Sequence, residues 1–144
     1  MTTIVHVVNQ FFAGLGGEDK AGMPVGVIEG TAGAARGLQL QLAEEAKIAC
    51  TIYCGDNYFH EHKEDALKAI LDAVRSAQPQ ALVAGPAFNS GRYGVSCVEI
   101  CNAIANSLGI PCVTAMHEEN PGVGTYRDFA NSSTVCLRRR APRV

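Results

Sequence analysis

The sequence lacks the features that direct a chain into or across a membrane. No apolar run in its 144 residues approaches the ~20 residues that a membrane-spanning helix requires. The N-terminal stretch "MTTIVHVVNQFF" has no basic region and no small-residue cleavage site, so it does not resemble a signal peptide. We therefore predict a cytoplasmic protein with no membrane partner.

The sequence also has little excess charge. Its formal net charge of −2 does not favour nucleic acid as a partner. The positive charges are unevenly distributed along the chain, because the C-terminal stretch "CLRRRAPRV" holds four of the twelve Lys and Arg residues. With 47% hydrophobic and 18% charged residues, the composition is typical of a globular domain, and the length suits one domain with a substantial core.

Nucleotide-binding motifs are missing as well. The stretch "GLGGEDK" starts like a dinucleotide fingerprint, but Asp19 stands where the third glycine is needed. Glu18 and Asp19 would also repel a pyrophosphate, and no GxxxxGK[ST] motif occurs. The Gly-rich segment 11–33 is long for a connection, which favours a lid or a docking surface.

Metal and redox motifs are weak. "HEH" places His60 and His62 near each other, but solvated histidines are favoured over a zinc pair. The six cysteines are Cys50, Cys54, Cys97, Cys101, Cys112 and Cys136. Without a secretion signal, reduced thiols are expected, with Cys50, Cys97, Cys101 and Cys112 in the core. Cys54 ends a strand and is the one candidate for a reactive thiol.

Apolar segments with strand and helix character alternate along the chain. Strands are predicted at 3–9, 47–55, 81–85 and 111–117, with a possible fifth at the end of 127–137, and helices at 34–46, 63–77 and 94–109. This order predicts an α/β fold with an open doubly wound parallel sheet of four or five strands in a three-layer α/β/α arrangement. We predict that residues 1–144 form one domain, in which 129–144 is an atypical tail.

The segments that follow the strands are polar, Gly-rich or aromatic, and ligands of such sheets bind at the carboxyl ends of the strands. The predicted substrate-binding residues are Asn9, Gly16, Gly17, Cys54, Asp56, Asn57, Asn89, Arg92, Tyr93, Glu118 and Asn120. Arg92 suits a carboxylate, because its planar fork matches two oxygens. Asp56 and Glu118 would pair with a substrate ammonium, or with Arg92 in an empty site. The structural alternative is a compact turn in which Arg92 pairs with a nearby acid.

Four blocks in this order resemble the N-terminal part of the selenoprotein B family of glycine, sarcosine and betaine reductases, to which the D-proline reductase subunit is related. The blocks are "NQFFAGLGGEDKA" (9–21), "CGDNYF" (54–59), "AGPAFNSGRYGVSC" (84–97) and "LGIPCVTAMHEENPGV" (108–123). The resemblance implies binding of a small amino acid or its N-methylated form, whose C–N bond a selenocysteine cleaves reductively. It also implies a partner subunit with a pyruvoyl group, and no cofactor in this chain.

The sequence departs from the family in containing no selenocysteine, so no residue inherits the role of nucleophile and no catalytic residue is assigned. Family members are roughly three times longer, as the resemblance implies, and the similarity fades after about residue 128. Either a truncated chain or a short natural homologue fits this pattern. Two alternatives stay open: a stand-alone binding or regulatory module, and a thiol enzyme that uses Cys54. Self-association into a homo-oligomer is also expected.

Overall fold

The computed structural model describes residues 2–129 and 135–140. The strands are β1 (Thr2–Asn9), β2 (Gly26–Glu29), β3 (Ala46–Cys54), β4 (Ala81–Ala84), β5 (Cys112–His117) and β6 (Val135–Arg140). The helices are α1 (Ala35–Leu42), α2 (Asp56–Glu61), α3 (Lys63–Ala77), α4 (Gly91–Leu108) and α5 (Gly122–Asp128), with a 3₁₀ turn at Glu18–Lys20.

The strands form one six-stranded sheet in the order β2-β3-β1-β4-β5-β6. Every neighbouring pair is parallel except β2 and β3. The predicted α/β class is confirmed, although the sheet has one strand more than the upper expected number. The additional strand is β2, an antiparallel edge strand in the Gly-rich segment, whose four residues are too few to give a periodic pattern.

The helices differ from the prediction mainly at their ends. α3 matches the predicted range, and its buried residues Ala66, Ile70 and Val74 follow helical spacing. α4 starts at Gly91, so "GRY" is its first turn and not part of the preceding loop. α2 and α5 are short helices that the sequence pattern did not indicate.

The two faces of the sheet are covered unequally. On one face, α3 and α4 pack over alternate strand residues such as Val5, Ile52 and Leu82, which forms the main core. On the other face, α1 packs over a smaller cluster that includes Ile4 and Ile48. The chain therefore winds outward in both directions from β1, which creates a topological switch point between β1 and β4.

The cysteines behave as predicted for core thiols. All six are free, and Cys50, Cys97, Cys101 and Cys112 are buried, as is Cys54. Residues 135–140, which belong to the segment interpreted as a tail, form β6 beside β5. Residues 130–134 and 141–144 of that segment lie outside the described residues. Within 2–129 and 135–140, no helix has the length and apolar character needed to cross a bilayer.

Candidate functional site

Two polar residues meet where β1 and β3 end. The parallel strands pair Asn9 with Cys54 at their carboxyl ends, and Asp56 follows as the first residue of α2. Asn9 Nδ2 donates a hydrogen bond of 3.0 Å to Asp56 Oδ2, while Asn9 Oδ1 accepts one of 2.9 Å from the Phe12 backbone N–H. Asn9 and Asp56 are only 5% and 6% exposed. A buried carboxyl group is thus held at the sheet edge by one amide.

Gln10 extends this polar group toward the Gly-rich segment. Its side-chain oxygen lies 3.4 Å from the Asp56 backbone nitrogen, and its Nε2 donates to the Gly17 carbonyl at 3.2 Å. Gln10 is buried as well. Buried polar groups of this kind require partners, so the network fixes the Gly-rich segment over the edge of the sheet.

Burial raises the pKa of the Asp56 carboxyl above its usual value. The hydrogen bond from Asn9 opposes this shift, as do the electrostatic interactions with Arg92 and His60, whereas the charge of Glu18 adds to it. Asp56 therefore lies within electrostatic reach of a small set of charged groups at this edge. We call Asn9, Gln10, Asp56 and Arg92 the polar edge.

Arg92 is engaged by an acid from the Gly-rich segment. Its Nη2 donates to Glu18 Oε1 at 2.7 Å, and the two side chains are 45% and 73% exposed. The prediction that Asp56 or Glu118 pairs with Arg92 is thus wrong, because the acidic partner is Glu18. Such exposed pairs contribute only ~0–1 kcal/mol, so a competing carboxylate could replace Glu18 at little cost.

Cys54 and Tyr93 lie beside the polar edge but are buried. Burial, with a smaller contribution from the charge of Asp56, raises the pKa of Cys54 to about 12. Burial also raises the pKa of Tyr93 well above its usual value, and its hydroxyl approaches the Asn9 backbone without hydrogen-bond geometry. A protonated, buried thiol is a poor nucleophile, which argues against a thiol enzyme that uses Cys54.

Asn120 has a structural role. Its Nδ2 donates to the carbonyls of Phe88 and Ser90, both at 3.1 Å, and its Oδ1 accepts from the Gly122 backbone N–H at 2.9 Å. A side chain at position 94 would collide with the Asn120 amide, so Gly94 permits this approach. Asn120 therefore connects the loop after β4 to the start of α5 and does not present a free polar group.

The other predicted site residues are less closely involved. Asn89 and Glu118 are exposed and belong to the segments after β4 and β5. Asn57 is half-buried and binds the Ala21 carbonyl through its backbone N–H at 2.9 Å. Gly16 and Gly17 directly precede the 3₁₀ turn that carries Glu18. The polar edge thus brings together part of the predicted set.

Sequence reasoning missed Gln10, Glu18 and His60 as members of this region. Gln10 directly follows Asn9, so its position after a strand was a usable signal. His60 Nε2 lies 3.1 Å from the Arg92 carbonyl and links α2 to α4, a contact that no local pattern reveals. Among residues 2–129 and 135–140, no group of three or more His, Cys, Asp or Glu side chains is arranged to hold a metal ion.

A comparison with known proteins gives one consistent family. The sequence profile of the glycine/sarcosine/betaine reductase selenoprotein B family matches residues 1–136. No solved structure is significantly similar to the chain.

Curated relatives carry related descriptions. The chain is 51% identical over 146 aligned positions to the sarcosine reductase complex component B subunit beta of Peptoclostridium acidaminophilum, covering 98% of this chain and 34% of that protein. It is 45% identical to the glycine reductase complex component B subunit gamma of Symbiobacterium thermophilum, covering 96% and 34%. It is 42% identical to the betaine reductase complex component B subunit beta of P. acidaminophilum, covering 88% and 29%. The chain thus spans about a third of the length of these relatives.

Proposed function

The chain belongs to the glycine/sarcosine/betaine reductase selenoprotein B family, and we propose that it acts as the substrate-side domain of such a reductase subunit. In this proposal it binds a small amino acid or a related carboxylate at the polar edge. Reductive C–N cleavage then belongs to the full complex, since the sequence contains no selenocysteine. The relatives are named as subunits of component B, which supports assembly with a partner subunit.

The observation that carries this proposal is the placement of Asp56 at the start of α2 and of Arg92 in the first turn of α4, two segments that are joined by the 3.1 Å contact between His60 Nε2 and the Arg92 carbonyl. Arg92 offers a guanidinium to a substrate carboxylate, while Asp56 offers a negative charge to the substrate nitrogen. The charge of Arg92 opposes the burial that raises the pKa of Asp56 above its usual value. Glycine, sarcosine and betaine all combine a carboxylate with a positively charged nitrogen, so one pair of opposite charges suits each of them.

Glu18 supports the proposal as a stand-in for the ligand. Its carboxylate already occupies Arg92 at 2.7 Å, and it lies on the Gly-rich segment that covers the edge. A substrate carboxylate would exchange with Glu18, and the segment would then be free to adjust around the ligand. The exposure of both side chains keeps the cost of this exchange low.

The direct test is titration of the chain with sarcosine, followed by NMR. Arg92→Ala should weaken binding by about tenfold or more, since an ionic hydrogen bond contributes ~1.5–3 kcal/mol. Lys63→Ala is the matched control, because Lys63 forms a comparable ion pair with Glu99 at 3.0 Å away from the polar edge. Unchanged affinity in Arg92→Ala, with the fold intact, would contradict the proposal.

The alternative is a stand-alone binding or regulatory module without catalysis. The buried Cys54, whose pKa is raised to about 12, favours a non-catalytic role for the isolated chain. The two proposals differ in assembly, because only the reductase domain must associate with another component B subunit, of the pyruvoyl type that the family resemblance implies. Co-expression with such a subunit should yield a joint complex, whereas a stand-alone module would purify by itself, as a monomer or homo-oligomer.

A further inference from the structure

A cavity lies at the switch point of the sheet, on the face that α1 covers. It has a volume of about 310 Å³ and reaches from α1 to the loop that follows β4. Its walls include His6 and Val83 from the sheet, Leu38 from α1, and Phe12 and Phe88 from the flanking loops. We call this space the α1 pocket. Volumes from about 300 Å³ are typical of small-molecule sites, and switch points are where α/β sheets bind ligands.

The α1 pocket differs chemically from the polar edge. No Asp, Glu, Lys or Arg lines it, and almost all of its accessible lining is apolar. A carboxylate or an ammonium group would lose its hydration there without gaining an opposite charge, which is strongly unfavourable. The pocket therefore suits a neutral ligand and does not suit the zwitterions proposed for the polar edge.

Three side chains with polar groups line the pocket, and His6 is the one that the sheet contributes, beside Gln41 and Tyr93. His6 is fully buried, and its Nε2 lies 2.6 Å from the Gly85 carbonyl oxygen. A carbonyl oxygen only accepts hydrogen bonds, so Nε2 carries the proton and the neutral ring leaves a lone pair on Nδ1. Nδ1 has no hydrogen-bond partner among the residues that the structure describes. A buried acceptor of this kind favours a ligand that brings an N–H or O–H group.

Gly37 borders the solvent-exposed opening of the pocket. It lies inside α1 and lines the pocket, and a Cβ atom added there would meet no other atom within 4 Å. Glycine in a helix interior is less favourable than alanine, so neither packing nor helix propensity accounts for it. Its absence of a side chain leaves room that a ligand can use.

Aromatic rings form one end of the pocket. The ring of Phe12 lies 5.6 Å from that of Tyr93 and 5.7 Å from that of Phe88, measured between centroids. Phe88 is 57% exposed and has a φ of 53°, a left-handed conformation that residues other than glycine rarely adopt. Strained, exposed residues of this kind cluster at ligand sites, and these rings offer faces and edges to a further ring.

From these features we propose that the α1 pocket binds a small, neutral, planar aromatic molecule whose single N–H or O–H group donates to His6 Nδ1. This site goes beyond the substrate site proposed at the polar edge, and neither depends on the other. Its ligand would act as an effector of the domain and would not take part in C–N cleavage.

Indole and 1-methylindole are the probes that test the proposal, because they share a ring system and differ in one N–H group. Indole should bind the chain saturably at one site, and 1-methylindole should bind about two- to tenfold more weakly, the range expected for one hydrogen bond. In ¹⁵N NMR spectra, indole should shift the His6 Nδ1 resonance more than the Nε2 resonance. Equal affinities, or an unchanged Nδ1 resonance at saturation, would overturn the proposal.

Matched glycine variants locate the binding site. Gly37→Leu should fill the pocket and reduce indole affinity by tenfold or more, as expected from steric exclusion. Gly124→Leu is the control, because Gly124 lies in α5, away from the pocket, and also has no atom within 4 Å of an added Cβ. Indole binding that Gly37→Leu leaves intact would contradict the assignment. If Gly37→Leu does not fold, the site is located by the amide shifts that indole causes in the unmodified chain. Shifts confined to residues away from His6 and Gly37 would also contradict the assignment of the site to the α1 pocket.

Discussion

The polar edge and the α1 pocket lie close together and yet differ in almost every physical property. Asn9 and Asp56 form a buried, hydrogen-bonded pair next to charged groups. The α1 pocket has apolar walls and one buried imidazole nitrogen without a partner among the described residues. The loop after β4 and the first turn of α4 contribute to both regions, through Phe88 to the pocket and Arg92 to the edge.

The difference originates in a single strand. Successive side chains of β1 point to opposite faces of the sheet, so His6 faces α1 whereas the side chain of Asn9 lies on the face of α3 and α4. β1 thus places the neutral imidazole of His6 on one face of the sheet and the side-chain amide of Asn9 on the other. The comparison shows that the carboxyl-terminal half of one strand can contribute to two sites of different chemistry, because its alternate residues point to opposite faces of the sheet.

The largest expected effect concerns catalysis. The purified chain should release no measurable ammonia from glycine and no measurable amine from sarcosine or betaine with a dithiol donor, because it has no selenocysteine and Cys54 is held protonated by burial. Loss of a covalent nucleophile typically costs several orders of magnitude in rate. Amine release at ordinary enzyme rates, measured by mass spectrometry, would restore Cys54 as a nucleophile, and Cys54→Ser would then abolish that activity.

The next largest effect is expected from a substitution that disrupts the polar edge. Asn9→Leu should lower the free energy of unfolding by about 2–4 kcal/mol, since it leaves Asp56 and the Phe12 backbone N–H buried without their partner. Urea denaturation measures the change. Asn89→Leu, at an exposed position, is the control and should stay within about 0.5 kcal/mol of the unmodified chain. Equal effects of the two variants would mean that the Asn9–Asp56 pair contributes nothing to stability.

A smaller effect concerns the α1 pocket and pH. Burial lowers the pKa of His6 below its usual 6.5, so the unfolded chain binds this proton more readily than the folded chain. Below pH 6.5, stability should therefore fall as pH falls, by at most about 1.4 kcal/mol per pH unit from this residue.

His6→Gln should remove this part of the pH dependence, as measured by urea denaturation between pH 6.5 and 5. Burial raises the pKa of Asp56 above 3.8, so above pH 3.8 this residue makes stability increase as pH falls, opposite to His6. Both the unmodified chain and His6→Gln contain Asp56, so its contribution cancels in the difference between them. The exposed His62 provides the control as His62→Gln, which should keep the slope. If His6→Gln leaves the slope unchanged, the pH dependence of stability does not come from protonation of His6.

The sequence predicted the parts of the fold that repeat with a clear period. The apolar spacing of Ala66, Ile70 and Val74 identified α3, and "TIVHVVN" identified β1. The strand β2 was missed because its four residues become a strand by pairing with β3, which local pattern does not report. The start of α4 was placed three residues too late because Gly91 and Gly94 are typical of loops.

The sequence indicated where the candidate site lies, but it did not indicate which side chains contact each other there. Sheet topology correctly placed Asn9, Cys54 and Asp56 at one edge, since parallel strands end on the same side. The partner of Arg92 is Glu18, 74 positions earlier in the chain, and only the three-dimensional fold brings them together. The role of Asn120 was likewise invisible, because its partners are backbone carbonyls of another loop.

The central claim is that Arg92 holds a substrate carboxylate in the place that Glu18 occupies in the free chain. Sarcosine affinity of Glu18→Gln, compared with that of the unmodified chain by NMR titration, tests this most directly. Removal of the competing charge should tighten binding by about two- to fivefold, consistent with an exposed ion pair worth up to ~1 kcal/mol. Weaker binding in Glu18→Gln would show that Glu18 assists the ligand, and unchanged binding would show that the ligand does not take the place of Glu18; either result would contradict the claim.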